Sequence, residues 1–357
     1  MSFFKKVQPV REKNHPRKFK LQWHINESCN LRCRHCYQEG YSSADPPLEE
    51  LLTILKDFIN FLEKWNKQEG SAGAHINITG GEPFLREDFF DFLEILNTEF
   101  RDKFSFGILT NGTLITEKSA QKLKKLHTGF VQVSMEGSGE THDSIRGKGS
   151  YIKAAEGLKH LVNAGVPSLI SFTANRENFR EFGYVAELGK KLGVSRVWAD
   201  RMIPSGCGSD MGDVILTPAE TMEFFRIMKE SGKKSFLPWK NNTEVQMCRA
   251  LQFLEGGGMP YSCSAGDTLI TIMHDGTFLP CRRMPIPLGN LKHKSFEELY
   301  FKTPFLDELR DKNKPIKGCE KCRFLPACRG GLKCLSYAVK QTSFAADPGC
   351  PLSNPAE

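Results

Sequence analysis

The sequence predicts an α/β fold, namely a partial (β/α)6 barrel of the TIM type followed by a small irregular α+β domain. The first observation is that six apolar stretches of strand character alternate with six amphipathic stretches of helical period between residues 20 and 235. Strict alternation implies parallel strands joined by right-handed crossovers. The second observation is that long periodic segments end after residue 262, where seven of the twelve cysteines follow.

The predicted strands are short and mostly apolar, as strands buried in a parallel sheet are. They cover residues 20–26, 74–79, 104–110, 130–134, 168–173 and 195–199. Six strand–helix units fall short of the eight that close a TIM barrel.

The helices between these strands are predicted from apolar residues that recur three or four positions apart. The first such series runs from Leu48 to Trp65, and Gly165 and Gly193 stand as stops after two later ones. The predicted helices cover residues 48–65, 88–100, 118–126, 151–164, 179–192 and 217–229.

Changes in composition divide the chain into five segments. Residues 1–19 are predicted to form a basic N-terminal arm, and residues 20–235 the partial barrel. Residues 236–262 form a bridging segment with a short helix, residues 263–352 a cysteine-rich domain, and residues 353–357 a tail.

Composition narrows the class of protein. Hydrophobic residues make up 39% of the chain and charged residues 25%, which is typical of globular proteins. There is no apolar run of about 20 residues and no N-terminal signal sequence, so we expect a cytoplasmic protein without a membrane partner. Twelve cysteines in a reducing compartment indicate metal ligation. The net charge of +7 is diffuse and does not indicate nucleic-acid binding.

Polar residues, glycine and cysteine stand where the predicted strands end. In β/α barrels the active site lies at the carboxyl ends of the strands. The alternation therefore places six residues on one face of the barrel, namely Cys29, Gly80, Asn111, Ser134, Thr173 and Arg201.

Three cysteines follow the first strand at a tight spacing, Cys29-x3-Cys33-x2-Cys36. A 4Fe–4S cluster normally takes four thiolates, so a cluster held by these three leaves one iron open to a small molecule. His35 precedes the last cysteine, and Gly80-Gly81-Glu82-Pro83 follows the second strand. Together these residues resemble the signature of the radical S-adenosylmethionine (SAM) enzymes.

The resemblance implies that the open iron holds SAM, which one electron cleaves to a 5′-deoxyadenosyl radical that takes a hydrogen atom from the substrate. Glu82 would accept hydrogen bonds from the SAM ammonium, and Arg146 would pair with the SAM carboxylate. His35 and Tyr37 either stack on adenine or pack the loop. The implied SAM-binding residues are His35, Tyr37, Gly80, Gly81, Glu82, Pro83, Asn111, Ser134, Glu136, Arg146 and Thr173, with Asn175 a further candidate.

The C-terminal cysteines resemble the SPASM extension of radical SAM enzymes, which carries two auxiliary 4Fe–4S clusters. Three clusters are therefore expected. By resemblance one auxiliary set is Cys319, Cys322, Cys328 and Cys350, and the other is Cys263, Cys281 and Cys334, with Cys248 a possible fourth ligand. Five residues separate Cys328 from Cys334 where the family usually has three, and thiolate sites for zinc remain an alternative.

Cys207 belongs to neither cysteine set and follows the sixth strand. It is the candidate catalytic residue, because some radical SAM epimerases quench the substrate radical with a thiol; an ordinary buried or loop cysteine is the alternative. Arg282 and Arg283 follow Cys281. We expect them to favour an acidic or carboxylate-bearing substrate segment.

The family resemblance leaves several substrates open. Peptide or protein modification by crosslink, thioether or other side-chain oxidation is the main expectation, with flavodoxin or ferredoxin as electron donor. The alternatives are cofactor or tetrapyrrole tailoring, epimerisation through Cys207, sulfatase maturation, and a non-enzymatic electron carrier. Arg282 disfavours sulfatase maturation, because that subfamily has Asp at this position. The SAM motif argues against a simple electron carrier.

Overall fold

A ten-stranded sheet runs through the part of the chain that the computed structural model describes, residues 17–41, 44–70, 73–233 and 243–353. The strand order is β10-β9-β8-β1-β2-β3-β4-β5-β6-β7. The strands are β1 Phe19–His24, β2 Ala74–Thr79, β3 Phe104–Thr110, β4 Val131–Ser134, β5 Ser168–Ala174, β6 Arg196–Arg201, β7 Glu244–Gln246, β8 Leu269–Ile272, β9 Thr277–Leu279 and β10 Gly289–Asn290. The pairs from β8 through β1 to β7 are parallel, whereas β9 is antiparallel to both β8 and β10.

Helices connect the parallel strands and continue into the C-terminal part. They are α1 Leu48–Glu69, α2 Phe89–Glu99, α3 Glu117–Lys125, α4 Gly139–Arg146, α5 Ser150–Asn163, α6 Phe182–Leu192, α7 Pro218–Ser231, α8 Phe253–Gly256, α9 Phe296–Lys302, α10 Pro304–Arg310, α11 Leu325–Cys328 and α12 Lys333–Lys340. Their ends follow local sequence rules: Thr217 and Glu220 form a capping box at the start of α7, and Gly193 ends α6 in the left-handed region.

The two faces of the sheet differ in character. One face carries apolar side chains that pack under the helices, such as Phe19 of β1 against Phe58 and Trp65 of α1. The alternate positions face the inside of the open barrel and are largely polar and partly exposed, because side chains of a strand point to opposite faces in turn. These inner positions include Gln22, Asn77, Gln132, Ser134, Ser171, Thr173 and Trp198.

An aromatic cluster joins the C-terminal part to the barrel. Phe296 of α9 lies against Phe61 of α1, with ring centroids 4.5 Å apart, and Tyr300 lies 4.8 Å from the same ring. Phe19 of β1 lies 5.1 Å from Phe61. Burying aromatic side chains together is strongly favourable, so α9 is held on the outside of the barrel beside β1.

Strands β1 to β6 and the helices between them confirm the predicted alternation, but three differences are findings of the structure. Helix α4 was not predicted, because only His142 and Ile145 of its eight residues are buried and the apolar period is too weak. Strands β7 to β10 were not predicted either, since each has at most four residues. Strand β8 pairs with β1, so the sheet crosses the predicted boundaries at residues 235 and 263, which remain predictions about folding units.

Several predicted segments fall outside the described residues. The basic arm is described only from Arg17, and the bridging segment only from Thr243. The tail is described only at Ser353. Among the helices of the described ranges, none is both long enough and apolar enough to cross a bilayer.

Candidate active site

The cysteine loop leaves β1 and carries three thiols that each receive a hydrogen bond. The backbone N–H of Leu31 donates to Cys29 Sγ over 3.4 Å, and that of Gln38 donates to Cys36 Sγ over 3.4 Å. Arg146 Nη1 lies 3.7 Å from Cys33 Sγ. Hydrogen bonds to sulfur stabilise a thiolate, so the loop is prepared for anionic sulfur ligands.

The three thiols of this loop lie close enough for their charges to interact. Burial raises the pKa of Cys29 to about 11, and the neighbouring Cys33 and Cys36 thiolates raise it further while the Leu31 N–H opposes them. Burial also raises the pKa of Cys33, which Arg146 opposes. A bound cation would relieve this mutual repulsion, which is the electrostatic requirement of a cluster site.

The two glycines of the Gly80-Gly81-Glu82-Pro83 motif allow the end of β2 to touch the cysteine loop. A Cβ at Gly80 would lie 1.8 Å from Asn26 Oδ1, and one at Gly81 would lie 2.3 Å from the carbonyl oxygens of Glu27 and Ser28. The backbone N–H of Glu82 donates to Ser28 O over 2.8 Å. The close approach therefore requires glycine and fixes the entrance of the cysteine loop.

Glu82 is fully buried and joins the ends of β2 and β3. Its Oε1 accepts hydrogen bonds from Thr110 Oγ1 at 2.7 Å and Phe84 N at 3.2 Å, and its Oε2 accepts one from Asn111 N at 2.8 Å. Burial raises its pKa to about 7, although these hydrogen bonds oppose the shift. Glu82 therefore has a structural role within the protein, and its contact with a SAM ammonium remains a prediction.

Glu136 and Arg146 form a buried ion pair beneath the cysteine loop. Arg146 Nη2 donates to Glu136 Oε1 over 2.6 Å, and His35 Nε2 lies 3.2 Å from the same oxygen. Thr173 N donates to Glu136 Oε2 over 2.8 Å. Although burial opposes it, the Arg146 charge and His35 lower the pKa of Glu136 to about 2.

This pair bears on the expected roles of two residues, Arg146 and His35. Arg146 is engaged by Glu136 and Cys33. Its pairing with a SAM carboxylate remains a prediction, and it requires that one guanidinium contact both Glu136 and SAM. His35 is buried against Glu136. Its stacking on adenine, like that of Tyr37, remains a prediction.

The remaining predicted SAM-binding residues lie at the same edge of the sheet. Asn111 is nearly buried, and its Nδ2 donates to Asn30 of the cysteine loop over 2.9 Å. Ser134 and Thr173 lie partly exposed on the inner face of the barrel, and Pro83 is buried at the start of a single 3₁₀ turn. Asn175 is fully buried, and its Nδ2 has no hydrogen-bond partner among the described residues.

The C-terminal cysteines form one set at α11 and the segment after α12. Burial raises the pKa of Cys328 to about 12, and the Cys350 and Cys319 thiolates add to the shift. Burial likewise raises the pKa of Cys319 to about 11, with contributions from Cys350 and Cys322. The structure therefore brings together the four cysteines that the resemblance assigns to one auxiliary cluster.

The second set lies near the carboxyl end of β6, because Arg283, two residues after Cys281, forms an ion pair with Asp200 of that strand. Burial raises the pKa of Cys281, and the Cys263 thiolate contributes. Burial also raises the pKa of Cys334, with contributions from Cys281 and Cys263. Cys334 therefore lies with the expected partners despite the unusual spacing after Cys328.

Cys248 stands apart from this second set. It is exposed, and after burial the strongest influences on its pKa are Arg249, Arg196, Asp200 and Lys20. No cysteine is among these influences, so the structure adds no support for Cys248 as a fourth ligand.

The donor chemistry of the three sets fits clusters. Within the described ranges, no three Cys, His, Asp or Glu side chains are arranged around one point as ligands of a single ion. A cubane cluster presents a different iron to each thiolate, so it does not require such convergence. Thiols that are buried, mutually repelling and, at the first set, hydrogen-bonded by N–H donors are suited to this group.

Arg282 and Arg283 are engaged within the protein, and their attraction for an acidic substrate remains a prediction. Arg282 is 8% exposed, and its Nη2 donates to the carbonyl oxygen of Tyr37. Burial lowers its pKa, while Cys36 and Cys281 oppose the shift, so Arg282 lies between the first and second cysteine sets. Arg283 forms an ion pair with Asp200.

Tyr37 lies on the same side, between the cysteine loop and the second set. Burial raises the pKa of Tyr37 to about 12. The charge of Arg283 opposes this rise, and the Cys334 thiolate adds to it. The aromatic ring therefore extends towards the auxiliary cysteines, and its stacking on adenine remains a prediction.

Cys207 lines a cavity over the cysteine loop. The cavity has a volume of about 320 Å³, and its walls are Arg32, Cys33, Arg34, Tyr41, Cys207 and Met211. Cys207 is exposed, and its Sγ lies 3.6 Å from the hydroxyl oxygen of Tyr41. The structure thus brings this thiol to the cavity of the first cysteine set, while its catalytic role remains a prediction.

Two residues of this region were missed by the sequence analysis. Tyr41 belongs to no motif, although its position five residues after Cys36 marked it as part of the loop. Asp347 lies buried next to the α11 cysteine set and pairs with Arg201 at the end of β6. Its position three residues before Cys350 was a signal of proximity to that set but not of the partner.

Two family descriptions match this chain, and known proteins resemble it over most of its length. The "Radical SAM superfamily" matches residues 23–189, and the SPASM "Iron-sulfur cluster-binding domain" matches residues 263–323. The AdoMet-dependent heme synthase of Methanosarcina barkeri (strain Fusaro) is 28% identical over 92% of this chain and 95% of its own. The mycofactocin maturase MftC of Mycolicibacterium smegmatis is 28% identical over 92% of this chain and 82% of its own.

A solved structure shares the fold. SuiB of Streptococcus suis, solved with the precursor peptide SuiA, gives a TM-score of 0.72 at 17% identity and covers 94% of this chain and 76% of its own. The two family matches together cover the cysteine loop, the glycine motif and the first C-terminal cysteines. The chain is therefore a radical SAM enzyme of the SPASM subfamily, with 4Fe–4S clusters and SAM as its cofactors.

Proposed function

We propose that this enzyme modifies a peptide or protein side chain, forming a crosslink, a thioether or another oxidised product. The observation that carries the proposal is the position of the second cysteine set beside the polar inner face of the barrel. Arg282, next to Cys281, donates a hydrogen bond to the carbonyl oxygen of Tyr37 in the cysteine loop, and Arg283 forms an ion pair with Asp200 of β6. An auxiliary cluster held there would lie next to a substrate in the barrel.

The proposed SAM site is formed by residues of this chain with distinct roles. Cys29, Cys33 and Cys36 hold the first cluster, and their N–H donors stabilise the thiolates. The glycine motif presents backbone close to the loop, and the ion pair of Glu136 with Arg146 keeps a fixed charge beneath it. When bound, cluster and SAM supply a 5′-deoxyadenosyl radical that removes a hydrogen atom from the substrate.

The electron donor and the location of the enzyme are further parts of the proposal. Reductive cleavage of SAM needs one electron at a low potential, which a reduced flavodoxin or ferredoxin supplies. These donors work in the cytoplasm, where thiols also stay reduced, so we place the enzyme there.

Relatives support the peptide substrate but also favour a second candidate. MftC is named a maturase, and SuiB is a protein solved with a precursor peptide. The second candidate is tailoring of a tetrapyrrole, because the Methanosarcina barkeri relatives at 28% and 26% identity are named AdoMet-dependent heme synthase and Fe-coproporphyrin III synthase.

Mass spectrometry distinguishes these substrates. The anaerobically reconstituted enzyme is incubated with SAM, reductant and either peptides encoded near its gene or iron coproporphyrin III. The proposal predicts a peptide lighter by two hydrogens, with methionine and 5′-deoxyadenosine formed in equal amounts. Turnover of the porphyrin alone would replace the peptide proposal with the second candidate.

The role of Cys207 has its own test. If this exposed thiol delivers a hydrogen atom, a reaction in D₂O gives a peptide of unchanged connectivity that carries one deuterium. Cys207→Ala would then give no deuterated product. A product lighter by two hydrogens from both the wild type and Cys207→Ala would exclude this thiol from the chemistry.

A further inference from the structure

The guanidinium of Arg249 lies over an aromatic platform on the inner face of the barrel. Its central carbon lies 4.5 Å from the ring centroid of Trp198 and 6.0 Å from that of Tyr261. The platform is held in place, because Trp198 Nε1 donates to Gln132 Oε1 over 3.0 Å. A cation stacked in this way is attracted by the ring and loses little freedom when it binds a ligand.

The backbone that carries Arg249 is also fixed to the barrel. Arg249 N donates to Gln252 Oε1 over 2.8 Å. Gln252 is buried, and its Nε2 donates to the carbonyl oxygen of Ala199 in β6 over 3.0 Å. The segment after β7 therefore holds this side chain at a defined position over the sheet.

The hydrogen-bonding capacity of Arg249 is not used by the part of the protein that the structure describes. Its Nε is buried without a hydrogen-bond partner in those ranges, and its guanidinium forms no ion pair there. The neighbouring Arg283 differs, because it is paired with Asp200. An arginine that keeps its donor fork open on a concave face is suited to an external anion.

The position of Arg249 relates it to the auxiliary cysteines. Arg283, two residues after Cys281, forms an ion pair with Asp200, which follows Trp198 by two residues on β6. An anion bound by Arg249 would therefore lie on the inner face of the barrel, beside the second cysteine set. The sequence analysis expected an acid-binding residue in this region but assigned it to Arg282 and Arg283.

We propose that Arg249, stacked on Trp198 and Tyr261, is a carboxylate-binding subsite, and that the substrate carries a free carboxylate. The inference rests on the proposed function, since it concerns the substrate of that radical enzyme. Carboxylates occur on acidic side chains and C-termini of peptides and on the propionates of a tetrapyrrole. The recognition chemistry is the same for both sources.

Binding measurements with matched acid and neutral ligands test this subsite. The probes are iron coproporphyrin III and its tetramethyl ester, and a pool of random heptapeptides with a free C-terminal carboxylate and the same pool amidated. The reconstituted enzyme is used with SAM, as wild type, Arg249→Gln and Arg249→Lys. Arg226→Gln is the matched control, because Arg226 is an exposed arginine of α7.

The wild type is expected to bind the acid form of one probe on the order of tenfold more tightly than its neutral form, as for a charge-assisted hydrogen bond. Arg249→Gln loses this preference, Arg249→Lys keeps part of it, and Arg226→Gln keeps all of it. The probe that shows the preference identifies the source of the carboxylate. Equal binding of acid and neutral forms by the wild type would overturn the proposal, as would a preference unchanged in Arg249→Gln.

The outcomes also separate this inference from the proposed function. If the wild type shows the preference but modifies no peptide, the subsite stands and the peptide proposal fails. If peptides are modified and the acid preference is absent, the proposed function stands and the subsite is wrong. If Arg249→Gln fails to fold, two comparisons still test the subsite. These are the wild type against Arg249→Lys, and the acid probe against the neutral probe.

Discussion

The side chains of Arg201 and Asp347 form a buried two-point ion pair between the end of β6 and the segment that leads to Cys350. Arg201 Nη1 and Nη2 donate to Asp347 Oδ1 and Oδ2 over 2.7 and 2.6 Å. Asp347 also accepts hydrogen bonds from the backbone N–H groups of Leu332 and Gly349, both at 2.9 Å. One carboxylate therefore joins the barrel to the loops that carry the α11 cysteine set.

Asp347→Asn is expected to lower the free energy of unfolding by about 3 to 5 kcal/mol, because it leaves the charge of Arg201 buried without its partner. It should also reduce the iron bound by the C-terminal part. Denaturation with urea and an iron assay measure both effects. Glu223→Gln is the control, since its ion pair with Arg180 is exposed and such pairs contribute only about 0 to 1 kcal/mol. A loss no larger than that of the control would contradict the structural role of the pair.

Two triple variants test the assignment of the cysteine sets. Replacing Cys29, Cys33 and Cys36 with Ala should remove about four of about twelve irons, at four per cluster, and abolish SAM cleavage. Replacing Cys319, Cys322 and Cys328 with Ala should remove a similar amount of iron and leave reductive SAM cleavage measurable. Iron, sulfide and 5′-deoxyadenosine are assayed in parallel. Continued SAM cleavage by the first variant would refute the central assignment.

Gly81→Ala is expected to destabilise the protein by about 3 kcal/mol or more, because its Cβ would meet two backbone carbonyl oxygens that cannot move independently. Gly212→Ala is the matched control, since a Cβ there has nothing within 4 Å. Its effect should stay within about 0.5 kcal/mol. Thermal unfolding and iron content of the two variants provide the comparison. Equal stability of both would show that the β2 end and the cysteine loop are less tightly packed than in this structure.

His142 makes the stability of the protein depend on pH. Burial lowers its pKa to about 4, and Arg146 contributes, whereas an ordinary histidine has a pKa of about 6.5. Between these values the unfolded chain binds a proton that the folded chain does not. The stabilisation is complete above about pH 6.5 and falls as the pH decreases towards 4, by at most about 1.4 kcal/mol per pH unit.

His142→Gln should therefore reduce the loss of stability between about pH 6.5 and pH 4.5, measured as the midpoint of thermal unfolding. Part of the pH dependence of stability should remain in this variant, because burial also lowers the pKa values of His24 and His75. His293→Gln is the control, since this histidine is exposed. Identical pH profiles of the wild type and His142→Gln would contradict the buried, uncharged state of this ring.

Much of the site could be predicted from the sequence because its signals are local. The spacing of Cys29, Cys33 and Cys36 requires a loop, and the glycines at 80 and 81 require a close backbone approach, whatever the rest of the chain does. The short interval from Cys319 to Cys328 likewise brings those thiols together. The alternation of strands and helices predicted β1 to β6, because each unit is defined within about thirty residues.

The sequence by itself thus determined the cysteine loop, the glycine motif and the parallel order of the first six strands. Only the tertiary structure decided which distant groups neutralise one another. Arg201 and Asp347 are separated by 146 residues, and Arg282 and Tyr37 by 245. Pairing of β8 with β1 brings the segment of Arg282 to the cysteine loop, and β7 beside β6 brings Arg249 over Trp198. Charge partners are set by this sheet order, since a side chain's neighbours across a sheet leave no periodic trace in the sequence.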